Sequence, residues 1–154
     1  MGLFSFLKGA GSKILRGEAR ENQVREEIVK ETKEKALESS ILDSGIEIEN
    51  LEIELEEDVV RVYGHTTSQS NREKVILMLG NVEGVAGVDD RISVVNVEAE
   101  AIFYTVEKGD SLSKIAKSHY GDAMKYMVIF EANKPLLSDP NKIYPGQVLR
   151  IPTL

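Results

Sequence analysis

The side chains that most often carry catalysis or bind metals are scarce in this chain. It contains no cysteine and two histidines, His65 and His119, which are isolated in sequence. Without cysteine there is no disulfide, no thiolate zinc site and no Cys nucleophile. The sequence has no Ser-His-Asp pattern with motif support and no Gly-rich phosphate loop, so we expect a protein that is not an enzyme.

A run of acidic side chains over residues 47–58 could suggest a calcium site. Its glutamates at 52, 54 and 56 point to one side of a strand, because they alternate with Leu51, Ile53 and Leu55. The run lacks the D-x-D-x-D-G loop and the distal bidentate glutamate of a calcium-binding loop. We therefore interpret it as the solvated face of a sheet.

Two glycine-containing bends could instead present backbone oxygens. The predicted helix ending at Leu79 leaves its last carbonyl groups unpaired, at the negative end of the helix dipole. Gly80 and Gly84 allow the chain to curl there, and the Gly-Ala-Gly bend at 9–11 could supply further carbonyl groups. The alternative is that the 80–85 segment is only a helix-to-strand turn and the 9–11 segment only a flexible linker.

The elements that would position these bends form an α+β layer over residues 20–97. Helical periodicity covers residues 21–39, and Gly45 closes that unit. Two strands follow on either side of a turn at 57–58, then a helix with Gly80 as its C-cap, then a last strand that includes Val88. The order α-β-β-α-β predicts helices on one face of a small sheet.

Residues 102–154 predict a second small α+β domain with the order β-α-α-β. Its strands lie near 103–106 and 148–152, and its helices begin after Asp110 or Ser111 and end near Asn133. The net charge changes from −9 over residues 1–100 to +2 over residues 101–154, which also indicates two modules. We place the linker between them at 98–101.

Residues 1–19 form a separate N-terminal segment. Leu3, Leu7, Ala10 and Ile14 follow a helical spacing, which predicts an amphipathic helix. Such a helix either lies on a membrane surface or packs on its own protein, and we favour packing on the first domain. Basic residues follow the apolar stretch and no A-x-A site is present, so we do not interpret it as a secretory signal and expect a cytoplasmic protein.

Composition limits the possible partners. The chain has 154 residues, 42% of them hydrophobic, and a formal net charge of −7. This apolar fraction is that of an ordinary globular protein, and the acidic balance argues against nucleic-acid binding. No apolar run reaches the roughly 18 residues that a membrane span needs. We therefore expect a monomer with neither a nucleic-acid nor a membrane partner.

Several stretches resemble known domain families. The 80–92 segment, GNVEGVAGVDDRI, and the strand ending VRVYG resemble a BON domain. The segments YTVEKGDSL at 104–112 and IYPGQVLRIP at 143–152 closely resemble a LysM domain. LysM modules usually bind the N-acetylglucosamine polymers of peptidoglycan or chitin, and such a site needs backbone donors beside a flat apolar rim. The resemblance maps that site to a groove formed by Gly109, Asp110, Ser111, Leu112, Ile143, Tyr144 and Pro145.

A BON domain followed by a LysM domain, after the opening MGLFSFLKGAG, resembles the family of small bacterial potassium-binding proteins. Potassium-selective sites replace the water of the ion with neutral carbonyl oxygens. The resemblance implies that backbone oxygens of the two bends bind K⁺, and matching positions assigns them to Leu7, Ala10, Ser12, Gly80, Val82 and Val85.

The corresponding hypothesis is a cytoplasmic K⁺ sensor. The ion would join the N-terminal segment to the first domain and favour a compact arrangement of the two domains. The alternative function is a module that binds peptidoglycan, and an unidentified protein partner stays open.

Overall fold

The computed structural model describes residues 2–7, 9 and 23–154, which form two domains of mixed helix and strand. The first domain contains β1 (Gly2–Ser5), α1 (Gln23–Asp43), β2 (Glu49–Glu56), β3 (Val59–Ser68), α2 (Gln69–Gly80) and β4 (Gly87–Asn96). The second contains β5 (Ile102–Thr105), α3 (Leu112–Tyr120), a short 3-10 helix (Ala123–Lys125), α4 (Tyr126–Ala132) and β6 (Val148–Ile151). The predicted α+β class is confirmed. None of the helices among these residues is long and apolar enough to cross a membrane.

The sheet of the first domain has the strand order β1-β4-β3-β2. β2 and β3 form an antiparallel hairpin, and Glu57 in its turn has a positive φ of 57°. β3 and β4 are parallel, so α2 serves as the crossover between them. α2 therefore ends near the start of β4. Residues 81–86, called the 81–86 loop below, connect α2 to β4.

The predicted helix in the N-terminal segment is wrong over residues 2–5, which form strand β1. β1 pairs antiparallel with the outer edge of β4, with Phe4 opposite Val88. Its side chains alternate, because Leu3 is 69% exposed whereas Phe4 packs against the core of the first domain. Without β1, β4 would be an edge strand with unpaired backbone groups, and pairing with β1 supplies their hydrogen bonds. This tertiary pairing outweighs the helical spacing.

Both long helices of the first domain pack on one face of the sheet. Leu37 and Ile41 of α1 are fully buried beside Ile76 and Leu79 of α2. Ser68 caps the start of α2 by accepting a hydrogen bond from the amide of Asn71 at 3.0 Å. The burial of these apolar faces, more than helix propensity, stabilises the layer.

The second domain has a core of its own. β5 and β6 pair antiparallel, with Tyr104 opposite Leu149. Leu149 is buried together with Ile115 of α3 and Ile129 of α4. α3 ends at Gly121, which adopts the left-handed conformation with a φ of 75°.

Candidate functional site

The 81–86 loop follows the C-terminal end of α2 and is held by its valines. The side chains of Val82 and Val85 are buried in the core of the first domain, at 1% and 0% exposure. Asn81, rather than the expected Gly80, caps α2, and its amide donates to the Leu77 oxygen at 2.9 Å. Gly84 has a φ of 96°, which favours glycine at that turn. Because the apolar side chains point into the core, they fix the course of the loop backbone.

The N-terminal segment contacts this loop directly. The Phe6 amide donates to the Ala86 oxygen at 2.8 Å, one residue beyond β1. The Phe6 ring lies so close to Gly80 that a Cβ added there would sit 1.9 Å from the Phe6 Cζ atom. Gly80 is therefore required by this close approach. Leu7 directly follows Phe6 in the chain, and its side chain is 57% exposed.

The carbonyl groups of the loop differ in their hydrogen bonding. The Val82 oxygen accepts from the Val85 amide at 3.1 Å and keeps a second lone pair. No backbone amide of residues 2–7, 9 or 23–154 donates to the oxygens of Gly80 or Val85 outside regular helix and strand bonding. Gly80, Val82 and Val85 thus lie at the end of α2, and Leu7 is one residue beyond the phenylalanine that contacts Gly80. The other two expected ligands, Ala10 and Ser12, lie outside the described residues.

Glu83 also lies in this loop, although it was not among the site residues predicted from the sequence. Its Oε2 atom is buried and has no hydrogen-bond partner within the described part of the chain. A buried carboxylate oxygen without a partner is costly, and proteins normally pair it with a donor or a cation. The sequence signal would have been an acidic residue between Gly80 and Gly84.

The same loop is bonded to the second domain through Asn81. The Asn81 side-chain amide donates to the Val148 oxygen, and its Oδ1 accepts from the Val148 amide, both at 2.8 Å. Asn81 is 5% exposed, so both hydrogen bonds are shielded from water. The end of α2 that carries the candidate ion site therefore also holds strand β6.

A buried ion pair crosses the same interface. Nη2 of Arg150 lies 2.9 Å from Oε1 of Glu73, and the two side chains are 9% and 4% exposed. Oε2 of Glu73 accepts from the amide of Ala101 at 3.0 Å, so the carboxylate binds both the linker and β6. Phe4 and Phe103 add an aromatic contact with ring centroids 5.4 Å apart.

A groove on the second domain contains part of the expected carbohydrate site. It has a volume of about 400 Å³ and brings together Asp110, Ser111, Leu112 and Ile143, with Tyr126 and Asn141 also lining it. Tyr144 instead lines a separate cavity between the two domains, and Gly109 and Pro145 are not among the lining residues of the groove. Four of the seven predicted residues therefore share this surface.

Hydrogen bonds hold the turn that contributes Asp110 and Ser111 to that groove. The Tyr104 hydroxyl donates to Oδ2 of Asp110 at 2.6 Å, and the Glu107 amide donates to the same oxygen at 2.9 Å. The bond to Asp110 raises the pKa of the Tyr104 phenol to about 12, and it lowers the pKa of the Asp110 carboxyl. Ser111 caps α3 by accepting from the Lys114 amide at 3.2 Å. Asp110 and Ser111 thus position the turn as well as line the groove.

Comparison with known proteins assigns both domains. Residues 30–96 match the BON domain family, and residues 104–152 match the LysM domain family. The chain therefore contains a BON domain followed by a LysM domain. The predicted resemblance is therefore confirmed, and the first and second domains are called the BON and LysM domains below.

Three curated relatives show how far the similarity extends. The chain is 48% identical over 99 residues to "Potassium binding protein Kbp" of Escherichia coli O6:H1, covering 64% of this chain and 66% of that one. It is 45% identical over 84 residues to an "Uncharacterized protein" of Deinococcus radiodurans, covering 46% and 32% of the two chains. It is 40% identical over 58 residues to "Uncharacterized protein YqbP" of Bacillus subtilis, covering 32% and 26%. Each match thus spans less than two thirds of the relative's own length.

The histidines and the acidic strand have ordinary surroundings. In the BON domain, Nδ1 of His65 lies 2.8 Å from the Ser93 hydroxyl, and in the LysM domain the His119 ring contacts Tyr104 edge-on. The glutamates at 52, 54 and 56 are exposed. Within the described residues, no three His, Asp or Glu side chains cluster as metal ligands would.

Proposed function

We propose that this chain binds K⁺ through backbone oxygens where the N-terminal segment meets the 81–86 loop. The observation that carries the proposal is the close approach of Phe6 to Gly80, which brings two stretches of backbone to the end of one helix. The similarity to a protein named as potassium binding supports it. The proposed ligands are the carbonyl oxygens of Leu7, Ala10, Ser12, Gly80, Val82 and Val85.

The chemistry of the loop suits a large, weakly hydrated cation. Potassium-selective sites use neutral carbonyl oxygens, and the end of a helix concentrates them at its negative pole. Among the described residues, the Gly80 and Val85 oxygens receive no loop amide, and the Val82 oxygen has a lone pair to spare. A bound cation would satisfy these oxygens together.

Glu83 supplies a negative charge beside these neutral ligands. Its buried Oε2 has no hydrogen-bond partner in the described chain, so a cation in the loop would offset the cost of that charge. We propose that Glu83 raises the affinity of the site without determining its preference for K⁺. Size selection would come from the carbonyl oxygens, as in other K⁺ sites.

The coupling to the LysM domain runs through Asn81 in this proposal. Asn81 caps α2 with its backbone and binds Val148 with its side chain, so a K⁺-ordered loop presents this amide correctly to β6. A ligand that binds only the ordered state shifts the population toward it. The proposed role is thus a monomeric, cytoplasmic ion sensor that compacts on binding K⁺, and not an enzyme.

A titration with two salts tests this proposal. KCl and NaCl are added separately to the purified full chain while choline chloride keeps the ionic strength constant. We expect KCl to shift the amide resonances of Gly80 and Gly84 and to reduce the radius of gyration measured by X-ray scattering. Equal responses to the two salts would contradict a K⁺ site.

Glycine variants provide the matched control. In Gly80→Ala the new Cβ would collide with the Phe6 ring, so we expect the K⁺ response to be lost. Gly2→Ala makes the same change in the same segment, but its Cβ meets nothing within 4 Å and should leave the response intact. Glu83→Gln should weaken K⁺ binding by about tenfold, the effect of roughly 1.4 kcal/mol. An unchanged response in both Gly80→Ala and Glu83→Gln would overturn the assignment of this loop.

Binding of peptidoglycan by the LysM domain is the second candidate function. The observation that favours it is the groove of about 400 Å³, in which Asp110, Ser111, Leu112 and Ile143 come together. Sedimentation with purified peptidoglycan in KCl and in NaCl tests it. Retention in either salt supports glycan binding, and its dependence on KCl would show whether the two functions are linked.

A further inference from the structure

The stretch of chain that contains strand β1 contacts both the end of α2 and the LysM domain. The centroid of the Phe4 ring lies 5.4 Å from that of Phe103 on β5, and the two ring planes are inclined at 38°. Two residues further along the chain, the Phe6 ring lies against Gly80 at the end of α2. This short stretch therefore joins the region proposed to bind K⁺ to the second domain.

The Phe4 and Phe103 rings meet where the BON domain, the linker and the LysM domain come together. Both rings pack against the core of the BON domain, although Phe103 belongs to the LysM domain. Both also line a small cavity with Ile76 of α2 and Ala101 of the linker. Aromatic pairs at this separation attract each other beyond the burial of their surfaces. The position of Phe4 therefore contributes directly to the docking of the LysM domain.

Strand β1 is a short element at the edge of the BON sheet. It has four residues and pairs with β4, and no other strand within the described residues pairs with it. Residues 2–5 are exposed or half-buried, and Leu3 is 69% exposed. Short edge segments with little buried surface open at a low cost in free energy, and ligands can order them. β1 is therefore an element that can be paired with β4 or released.

We propose that K⁺ binding is coupled to domain docking through β1 as well as through Asn81. An ion bound to the backbone of Leu7 would keep β1 paired with β4, and this pairing holds the Phe4 ring against Phe103. The inference rests on the proposed K⁺ site and describes how that site is regulated. By reciprocity, a docked LysM domain raises the affinity for K⁺. Phe4 and Phe103 are thus positioning residues, since neither is among the proposed ligands.

The native full chain is tested by NMR in KCl and in choline chloride of equal ionic strength. We expect nuclear Overhauser contacts between the Phe4 and Phe103 rings, and between β1 and β4, in KCl and their loss in choline chloride. Ring contacts of equal strength without K⁺ would overturn the inference, because β1 would then not respond to the ion. Equal responses of the Gly80 and Gly84 amides to KCl and NaCl would contradict the K⁺ site itself, and the inference with it.

Phe103→Leu tests the reciprocal effect from the other domain. The variant keeps an apolar side chain but removes the aromatic contact. We expect the KCl concentration at half-response of the Gly80 and Gly84 amides to rise about fivefold, the worth of one aromatic pair. Ile102→Ala changes the preceding residue of β5, which is 54% exposed, and should leave that concentration unchanged. A native K⁺ response in Phe103→Leu would overturn the coupling through β1 while the K⁺ site itself stands.

A double-mutant cycle separates the ring contact from the other effects of each side chain. Phe4→Leu should also weaken the K⁺ response, and in its presence Phe103→Leu should cost little further, because the same contact is already lost. Additive effects would overturn the proposal that the two rings transmit the coupling. Leu3→Ala, at the exposed neighbouring position of β1, is the matched control and should leave the response unchanged. Poor folding of Phe4→Leu would not remove the test, because the native chain and Phe103→Leu are measured without it.

Discussion

Two asparagine side chains bind the same edge of β6, one from inside the LysM domain and one from the BON domain. Asn133 donates to the Arg150 oxygen at 2.9 Å and accepts from the Arg150 amide at 2.8 Å. Asn81 makes the equivalent pair of bonds with Val148. Residues two apart on a strand direct their backbone groups to the same edge, so the two amides together replace a missing neighbouring strand opposite β5.

The two asparagines differ in whether their hydrogen-bond partner on β6 can separate from them while both domains stay folded. Asn133 is 17 residues from Arg150 within one core, and it also donates to the Ile129 oxygen at 2.7 Å. Asn81 is 67 residues from Val148, across an interface. If the domains separate, water can satisfy Val148, whereas Arg150 cannot lose Asn133 without unfolding the LysM domain. The same pair of hydrogen bonds therefore stabilises the fold of the LysM domain when Asn133 makes it and the docking of the two domains when Asn81 makes it.

Replacing Asn133 should have the largest effect, because its loss leaves the buried backbone groups of Arg150 without partners. We expect Asn133→Ala to lower the free energy of unfolding of the LysM domain by about 3 kcal/mol. Urea unfolding followed by NMR measures each domain separately in the full chain. Asn141→Ala, at an exposed position of the same domain, is the control and should change stability by less than about 0.5 kcal/mol. A loss in the BON domain instead would contradict this account.

Glu73→Gln should weaken docking rather than folding. A glutamine can accept from either Arg150 or Ala101 but directs its NH₂ group at the other donor, so one of the two contacts becomes repulsive. We expect the free energy of domain docking to fall by about 2.5 kcal/mol. The cost is not larger because the side chain is hydrated again when the domains separate. X-ray scattering should show a larger radius of gyration with both domains still folded. A cooperative loss of BON stability without separation would show that Glu73 acts within its own domain.

Asn81→Ala provides the direct counterpart of the Asn133 variant. It removes both bonds to Val148, and we expect docking to weaken by about 2 kcal/mol while each domain keeps its own stability. If docking and K⁺ binding are coupled as proposed, the apparent K⁺ affinity must fall as well, because linkage is reciprocal. The KCl titration of this variant measures that change. Loss of LysM stability equal to that of Asn133→Ala would remove the distinction between the two residues.

The sequence predicted the elements that follow from local periodicity. The alternation of Ile53 and Leu55 with glutamates identified β2, and those two apolar side chains are buried. The end of the last helix near Asn133 was also predicted, from a pattern that lies within one short domain. Such features depend on neighbours close in the chain, and these are visible in a single sequence.

The features that were missed depend on distant partners. β1 was predicted as a helix because its pairing with β4 joins residues more than eighty positions apart, such as Phe4 and Val88. Gly80 was interpreted as a helix cap, whereas it is the close approach of Phe6 that requires a glycine there. The role of Asn81 toward Val148 has no local signal at all. Tertiary contacts of this kind override local propensity and cannot be derived from spacing.

Tyr104→Phe tests the other edge of the same sheet, where β5 rather than an asparagine pairs with β6. It removes the hydroxyl that donates to Asp110, and we expect a loss of about 1 kcal/mol because the bond is partly exposed. The pKa of Tyr104 is raised to about 12. The contribution of its hydrogen bond to the free energy of unfolding is therefore not reduced by phenol ionisation below pH 10, and it is lost as the pH rises toward 12. The lowered pKa of Asp110 means that the contribution is also lost as the pH falls below the ordinary carboxyl range.

Unfolding of the native chain and of Tyr104→Phe, compared across pH, measures this contribution. The difference in free energy should be constant between about pH 4 and pH 10 and should shrink on either side. In an Asp110→Asn background the same substitution should cost less, since the charged acceptor is gone. If Tyr104→Phe costs the same in both backgrounds, the hydroxyl is not stabilising the turn through Asp110, and the β5 edge is held by its backbone ladder and by packing.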